Sequence, residues 1–135
     1  MKYSLLLAAI LFLFSCKNND DEYHKPESAL DAGREFIDQS LKGRFSTAKK
    51  YMLQDEENLY WLNKWSTDFN KISEQEKAGY SKASINIREV ADVIPDSVTI
   101  ISYSNSYRNR PQKIKVVKYN GEWVVDFKYT FSGNL

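Results

Sequence analysis

The chain is poor in the residues from which most metal centres and nucleophilic triads are built. It has one cysteine, Cys16, and one histidine, His24, in 135 residues. A lone cysteine excludes an intramolecular disulfide. A lone histidine excludes a multi-histidine metal site, and because His24 lies in the polar stretch before the domain, no imidazole is left within residues 26–135 for a Ser-His triad. Charge of one sign is also missing, because 19 Lys and Arg stand against 18 Asp and Glu. Such a balance gives no support for a nucleic-acid partner or a polybasic membrane patch. Long apolar runs are absent too: the run from Leu5 to Phe14 covers ten residues, too few to cross a bilayer as a helix. Aromatic residues, by contrast, are plentiful. Nine Tyr, seven Phe and three Trp fill the core of a small domain and leave Tyr and Trp for a binding surface.

The apolar run has the length of a signal-peptide core and follows a positive start at Lys2. It ends in Leu13-Phe14-Ser15-Cys16. This tetrapeptide resembles the bacterial lipobox, in which a small residue precedes the modified cysteine. The resemblance implies a leader over residues 1–15, with Cys16 as the mature N-terminus carrying a diacylglycerol thioether and an N-acyl chain. At about 0.8 kcal/mol per buried methylene, two or three acyl chains form an effectively permanent membrane anchor. Residues 16–25 are polar and without apolar periodicity, the pattern of a flexible tether. Lys17 beside the cysteine argues against inner-membrane retention. Asp20, Asp21 and Glu22 resemble acidic export signals for surface lipoproteins. The expected location is therefore the outer membrane in the cell envelope, facing either the periplasm or the outside.

Residues 26–135 read as one domain. Pro26 suits a first helical turn, Leu30, Phe36, Ile37 and Leu41 form an apolar stripe, and Gly43 stops the helix. Ser46 is the expected cap of a short second helix. A long third helix is expected from Gln54 to about Lys77, with Leu59, Leu62, Trp65, Phe69 and Ile72 on one face and Gly79 just past its end. Tyr60 and Trp61 beside that stripe either widen the buried face or line a groove.

Strands follow. In Ala83–Ile94, an uninterrupted register turns Glu89 inward with Ile87 and makes it the best acid/base candidate in the chain. A bulge near Arg88 instead returns Glu89 to solvent and places Val90 and Ile94 inside. Ser97–Asn105 is rich in β-branched residues. The loop to Pro111 carries Arg108 and Arg110, two groups able to hold an anion or simply to be solvated. The strongest local signal is Asn120-Gly121 between two alternating runs, Gln112–Tyr119 and Glu122–Tyr129, which sets a type I′ hairpin. Its register puts Lys115 opposite Asp126, Val116 opposite Val125 and Lys118 opposite Trp123. Lys118 thus shares the apolar face with Trp123, where it either snorkels to water or marks the mouth of a pocket.

Helices followed by a four-stranded antiparallel meander make an α+β domain. Its closing Lys118-Tyr-Asn-Gly-Glu-Trp-Val-Val125, the lipobox start and the Ala29, Phe36, Ala48, Tyr51 spacing resemble small bacterial lipoproteins of the nuclear-transport-factor-2-like superfamily, also called cystatin-like or lumazine-binding-like. The resemblance implies a cone: a curved four-stranded sheet around the helices, with a pocket at its open end. Two functions are then in competition. One is a non-catalytic binding module for a small ligand or an envelope partner, with Tyr60, Trp61, Trp65, Tyr103, Tyr107, Lys118 and Trp123 as candidate contacts. The other is a small acid/base enzyme of the isomerase or dehydratase kind, relying on Glu89. Neither reading calls for a cofactor, a metal or nucleic acid.

Overall fold

The computed structural model describes residues 22–133. The expected leader and Cys16 lie outside the described residues. The order of elements is α1 (Ala29–Leu41), α2 (Phe45–Ala48), a 3-10 turn (Lys49–Tyr51), α3 (Glu56–Lys71), α4 (Glu74–Ser81), β1 (Ile85–Ile94), β2 (Val98–Asn105), β3 (Gln112–Tyr119), β4 (Glu122–Asp126) and a closing 3-10 turn (Phe127–Phe131). The four strands form an antiparallel meander in the order β1-β2-β3-β4. The architecture is α+β, with the helices on one face of the sheet.

Local chemistry explains where the helices begin and end. Ser28, not Pro26, caps α1 by accepting from the Asp31 amide at 3.1 Å. Gly43 closes it with φ 72°. The Gly43 and Arg44 amides reach back to the Ser40 and Gln39 carbonyls, an arrangement that needs the left-handed residue glycine supplies. Ser46 does not cap α2, which starts one residue earlier with no side-chain cap. The expected long third helix is two helices. Ile72 is extended (ψ 161°), and Ser73 with Glu76 forms a complete capping box that starts α4. Gly79 therefore lies inside α4 rather than beyond a C-terminus. Glycine is required there because a Cβ would lie 2.6 Å from Cζ of the Tyr107 ring.

The hairpin has the expected register, with Lys115 opposite Asp126, Val116 opposite Val125 and Lys118 opposite Trp123. The Lys115 ammonium lies 3.7 Å from Asp126. The last strand is shorter than its alternation suggests, ending at Asp126. Asn58 of α3 fixes the break: its side chain donates to Asp126 at 3.0 Å and accepts the Lys128 amide at 2.8 Å. Capturing that amide turns the chain into the 3-10 segment.

α1 crosses all four strands. The core joins its Ala32, Phe36 and Ile37 to Tyr51 and Met52, Leu62 of α3, and Ile101, Ile114, Val116 and Val125 of the sheet. The far side of β4 is closed by Leu53, whose amide donates to the Val125 carbonyl at 2.9 Å. β1 is the open edge. It bulges at Arg88, which turns Glu89 to solvent, and again at Val93. The expectation that this bulge buries Val90 and Ile94 is corrected: they are 44% and 53% exposed. Val90 stands on the helix-side face beyond the reach of the helices, and the second bulge turns Ile94 to the other face.

Candidate functional site

Helix α3 packs mainly against the closing 3-10 turn rather than against the strands. Its apolar stripe is consequently not spent on the sheet. Leu62 is buried, but Trp65, Phe69 and Ile72 are only partly covered. They form one wall of a cavity of about 470 Å³. The opposite wall is the Tyr103–Asn105 end of β2 with Gln112 of β3; Ile37, Ser40 and Leu41 of α1 and Tyr80 of α4 complete the lining. A second cavity of about 230 Å³ lies on the other side of Trp65 and Tyr103, walled by Trp61, Phe127, Thr130 and Phe131. Trp65, Asp68, Tyr103 and Gln112 border both.

Tyr103 is the most distinctive group in this wall. It is only 3% exposed, and its hydroxyl has no hydrogen-bond partner among the described residues. Burial pushes the phenol well above the ordinary tyrosine range, so it stays protonated and can both donate and accept. The residue lines both cavities, and a hydroxyl with no partner among the described residues is open there to an incoming hydrogen-bonding atom.

The mouth is built by α4 and the β2–β3 loop. Asn105 accepts the Tyr107 and Arg108 amides at 3.1 and 2.9 Å and so shapes the loop. Arg108 donates to the Tyr80 hydroxyl at 3.2 Å and to Glu76 at 3.0 Å, and its guanidinium lies 5.0 Å from the Tyr107 ring centre. These contacts clasp α4 to the sheet. Asp68 on the α3 side is held by Lys64 at 2.6 Å, and that hydrogen bond lowers its carboxyl below the ordinary range. Arg110 also borders the cavity but has no carboxylate partner among the described residues.

The candidate contacts thus divide. Trp65 and Tyr103 face both cavities. Trp61 borders the smaller one and stacks on Phe131 at 4.0 Å with the planes 8° apart. Tyr107 packs edge-on against Tyr80 at 4.9 Å and supports the mouth without lining it. Tyr60 is 59% exposed and outside both cavities. Lys118 and Trp123 stand at the other end of β3 from the cavity. There the Lys118 ammonium lies 5.3 Å from the Trp123 ring centre and pairs with Asp96 at 2.9 Å. Glu89 is exposed on the open edge strand. Phe69, Ile72 and Tyr80 belong to the site although the sequence pattern assigned the α3 stripe to the core. Helical spacing shows which face is apolar, not whether a sheet or a void lies against it.

One grouping of potential metal ligands exists among the described residues: His24, Asp31 and Glu35, with ligand atoms within 4.8 Å of one another. None of the three lines either cavity. The His24 ring lies 3.5 Å from an Asp31 carboxylate oxygen, and the same oxygen accepts the Glu27 amide. From Glu22 onward, the stretch expected to be a tether lies against the domain, with Tyr23 packed on Tyr51 at 5.0 Å. No helix among the described residues is long and apolar enough to cross a membrane. Comparisons with protein-family models, curated proteins and solved structures find no match.

Proposed function

We propose that this chain is an outer-membrane or cell-surface lipoprotein, anchored by acyl chains on Cys16, whose domain is a non-catalytic binding module for a small ligand. The observation carrying the binding reading is the 470 Å³ cavity, whose aromatic wall faces the Tyr103 side chain, with a hydroxyl that makes no hydrogen bond to any described residue. Its size is that of small-molecule sites, and its lining combines an aromatic and aliphatic wall (Ile37, Leu41, Trp65, Phe69, Ile72) with polar groups able to orient a ligand. The Leu13-Phe14-Ser15-Cys16 tetrapeptide after a ten-residue apolar run supports the anchor. The α+β meander supports the finer reading of a nuclear-transport-factor-2-like cone open at the Tyr103 end. The acid/base alternative draws no support from Glu89, which is exposed, and the carboxylate in the cavity wall, Asp68, is tied to Lys64.

Native mass spectrometry of the purified full chain tests the binding reading. A reproducible small-molecule adduct lost in Tyr103→Ala is expected. An empty protein that also captures nothing from a small-molecule library counts against it. The anchor is tested separately: Cys16→Ala should move the protein from the membrane fraction to the soluble fraction, and unchanged membrane retention would exclude lipidation at that residue.

A further inference from the structure

The pairing of charges around the cavity mouth limits what can enter. Glu76 is occupied by Arg108 at 3.0 Å, and Arg108 is further fixed by Tyr80. Asp68 is occupied by Lys64 at 2.6 Å, with Lys71 at 4.0 Å. Both carboxylates at the mouth are therefore neutralised within the protein. Arg110 is left with its charge uncompensated among the described residues. Gln112, half-buried in the same wall, has a side-chain amide with no hydrogen-bond partner among them. Deeper in, Tyr103 offers a hydroxyl; Ser40 and Asn105 also line the cavity, but Ser40 donates to the Phe36 carbonyl and Asn105 accepts the Tyr107 and Arg108 amides. Unsatisfied polarity thus occurs at two depths, cationic at the rim and neutral inside, along an apolar path.

We infer that the cavity takes a monoanionic amphiphile, its apolar body against Trp65, Phe69 and Ile72 and its single acidic group at Arg110 and Gln112. The guanidinium fork suits a carboxylate or a similar planar anion, which it can hold by two parallel hydrogen bonds. A neutral molecule of the same shape leaves Arg110 in solvent and gains nothing from it. A dianion carries a second charge for which the lining offers only Arg108, already occupied by Glu76. Tyr103 supplies one further hydrogen bond to a polar atom within the body.

The inference rests on the binding reading proposed above, and the test separates the two. Isothermal titration of the full chain uses 2-naphthoate and 2-naphthamide, which share one ring body and differ in charge. On the wild type, the naphthoate is expected to bind at least about tenfold tighter, the gain typical of a charge-assisted hydrogen bond. Arg110→Gln should bring the two within about twofold by weakening the naphthoate alone. Arg110 is exposed, so the variant should keep the wild-type circular dichroism spectrum. Tyr103→Phe should leave the charge preference intact. Equal affinities on the wild type overturn the inference and leave the binding reading standing. A charge preference that survives Arg110→Gln overturns the assignment of the acidic group. Failure of both probes to bind at millimolar concentration counts against both readings.

Discussion

Asn58 is the side chain whose loss the fold should feel most for its size. It is 0% exposed. It donates to Asp55 at 2.9 Å and to Asp126 at 3.0 Å, and it accepts the Lys128 amide at 2.8 Å. Asn58→Ala removes all three bonds. Asp55 is exposed and regains water, so that loss is small. Asp126 is buried and keeps only its lysines, so losing a bond to a charged acceptor costs about 1.5–3 kcal/mol. The stranded Lys128 amide adds about 1–3 kcal/mol. Together these predict a loss of roughly 3–5 kcal/mol, large for a polar residue. Urea unfolding at pH 7 measures it from the midpoint, provided the m-value is unchanged. Asn58→Asp adds a third carboxylate beside Asp55 and Asp126. It should be worse than alanine at pH 7, and its deficit should shrink as the pH falls through the carboxylate range and the new acid protonates. A cost below about 1 kcal/mol for alanine, or a pH-independent aspartate deficit, would refute the view that this junction fixes where β4 ends.

Three further outcomes follow from the same structure. Gly79→Ala should destabilise the wild type by forcing the Tyr107 ring away, yet stabilise a Tyr107→Ala background by about 1 kcal/mol through helix propensity; thermal denaturation of the four proteins reads the sign change. Asp55 is held below its ordinary carboxyl range, first by the Asn58 amide and then by Lys128. A carboxyl depressed on folding contributes stability that is complete above its unfolded value, near pH 3.8, and is lost as the pH falls through the lower folded value. Asp55→Ala should therefore be less stable at neutral pH and show a shallower loss below about pH 4 in acid titrations followed by circular dichroism. Ile94→Thr, at an exposed site on the open edge, should change stability by less than about 0.5 kcal/mol, and a larger change in urea would reveal a covering contact.

The elements best read from the sequence are those whose geometry is local. Asn120-Gly121 and the flanking alternation dictate their own pairing, so the hairpin register followed directly. Gly43 stops α1 for reasons contained in five residues. The break between α3 and α4 was also written locally, in the Ser73-to-Glu76 spacing, but a continuous apolar stripe masked it. The end of β4 was not local. Asp126 and Lys128 look like alternating strand residues until Asn58, 68 residues upstream of Asp126, captures them. The cavity was hidden for a related reason. Trp65, Phe69 and Ile72 carry the same spacing whether they meet a sheet or a void. Only the way α3 seats on Phe127–Phe131 decides between the two.

The two lateral strands of the sheet differ in how they meet the surroundings. β4 has its outer hydrogen-bonding groups engaged by Leu53. β1 is ten residues long, and no other strand among the described residues pairs with its outer side. At high protein concentration, such a strand is a template for joining one molecule to the next. Its irregularities work against that. Each bulge breaks the repeat a second strand would have to match, and Asp92, bonded to Thr99 at 2.8 Å on the helix-side face, puts a charge where a stacking sheet would bury it. The bulge that turns Glu89 away from the interior is thus also a safeguard of solubility. Deleting Arg88 to regularise the strand should produce a protein that folds but self-associates with rising concentration.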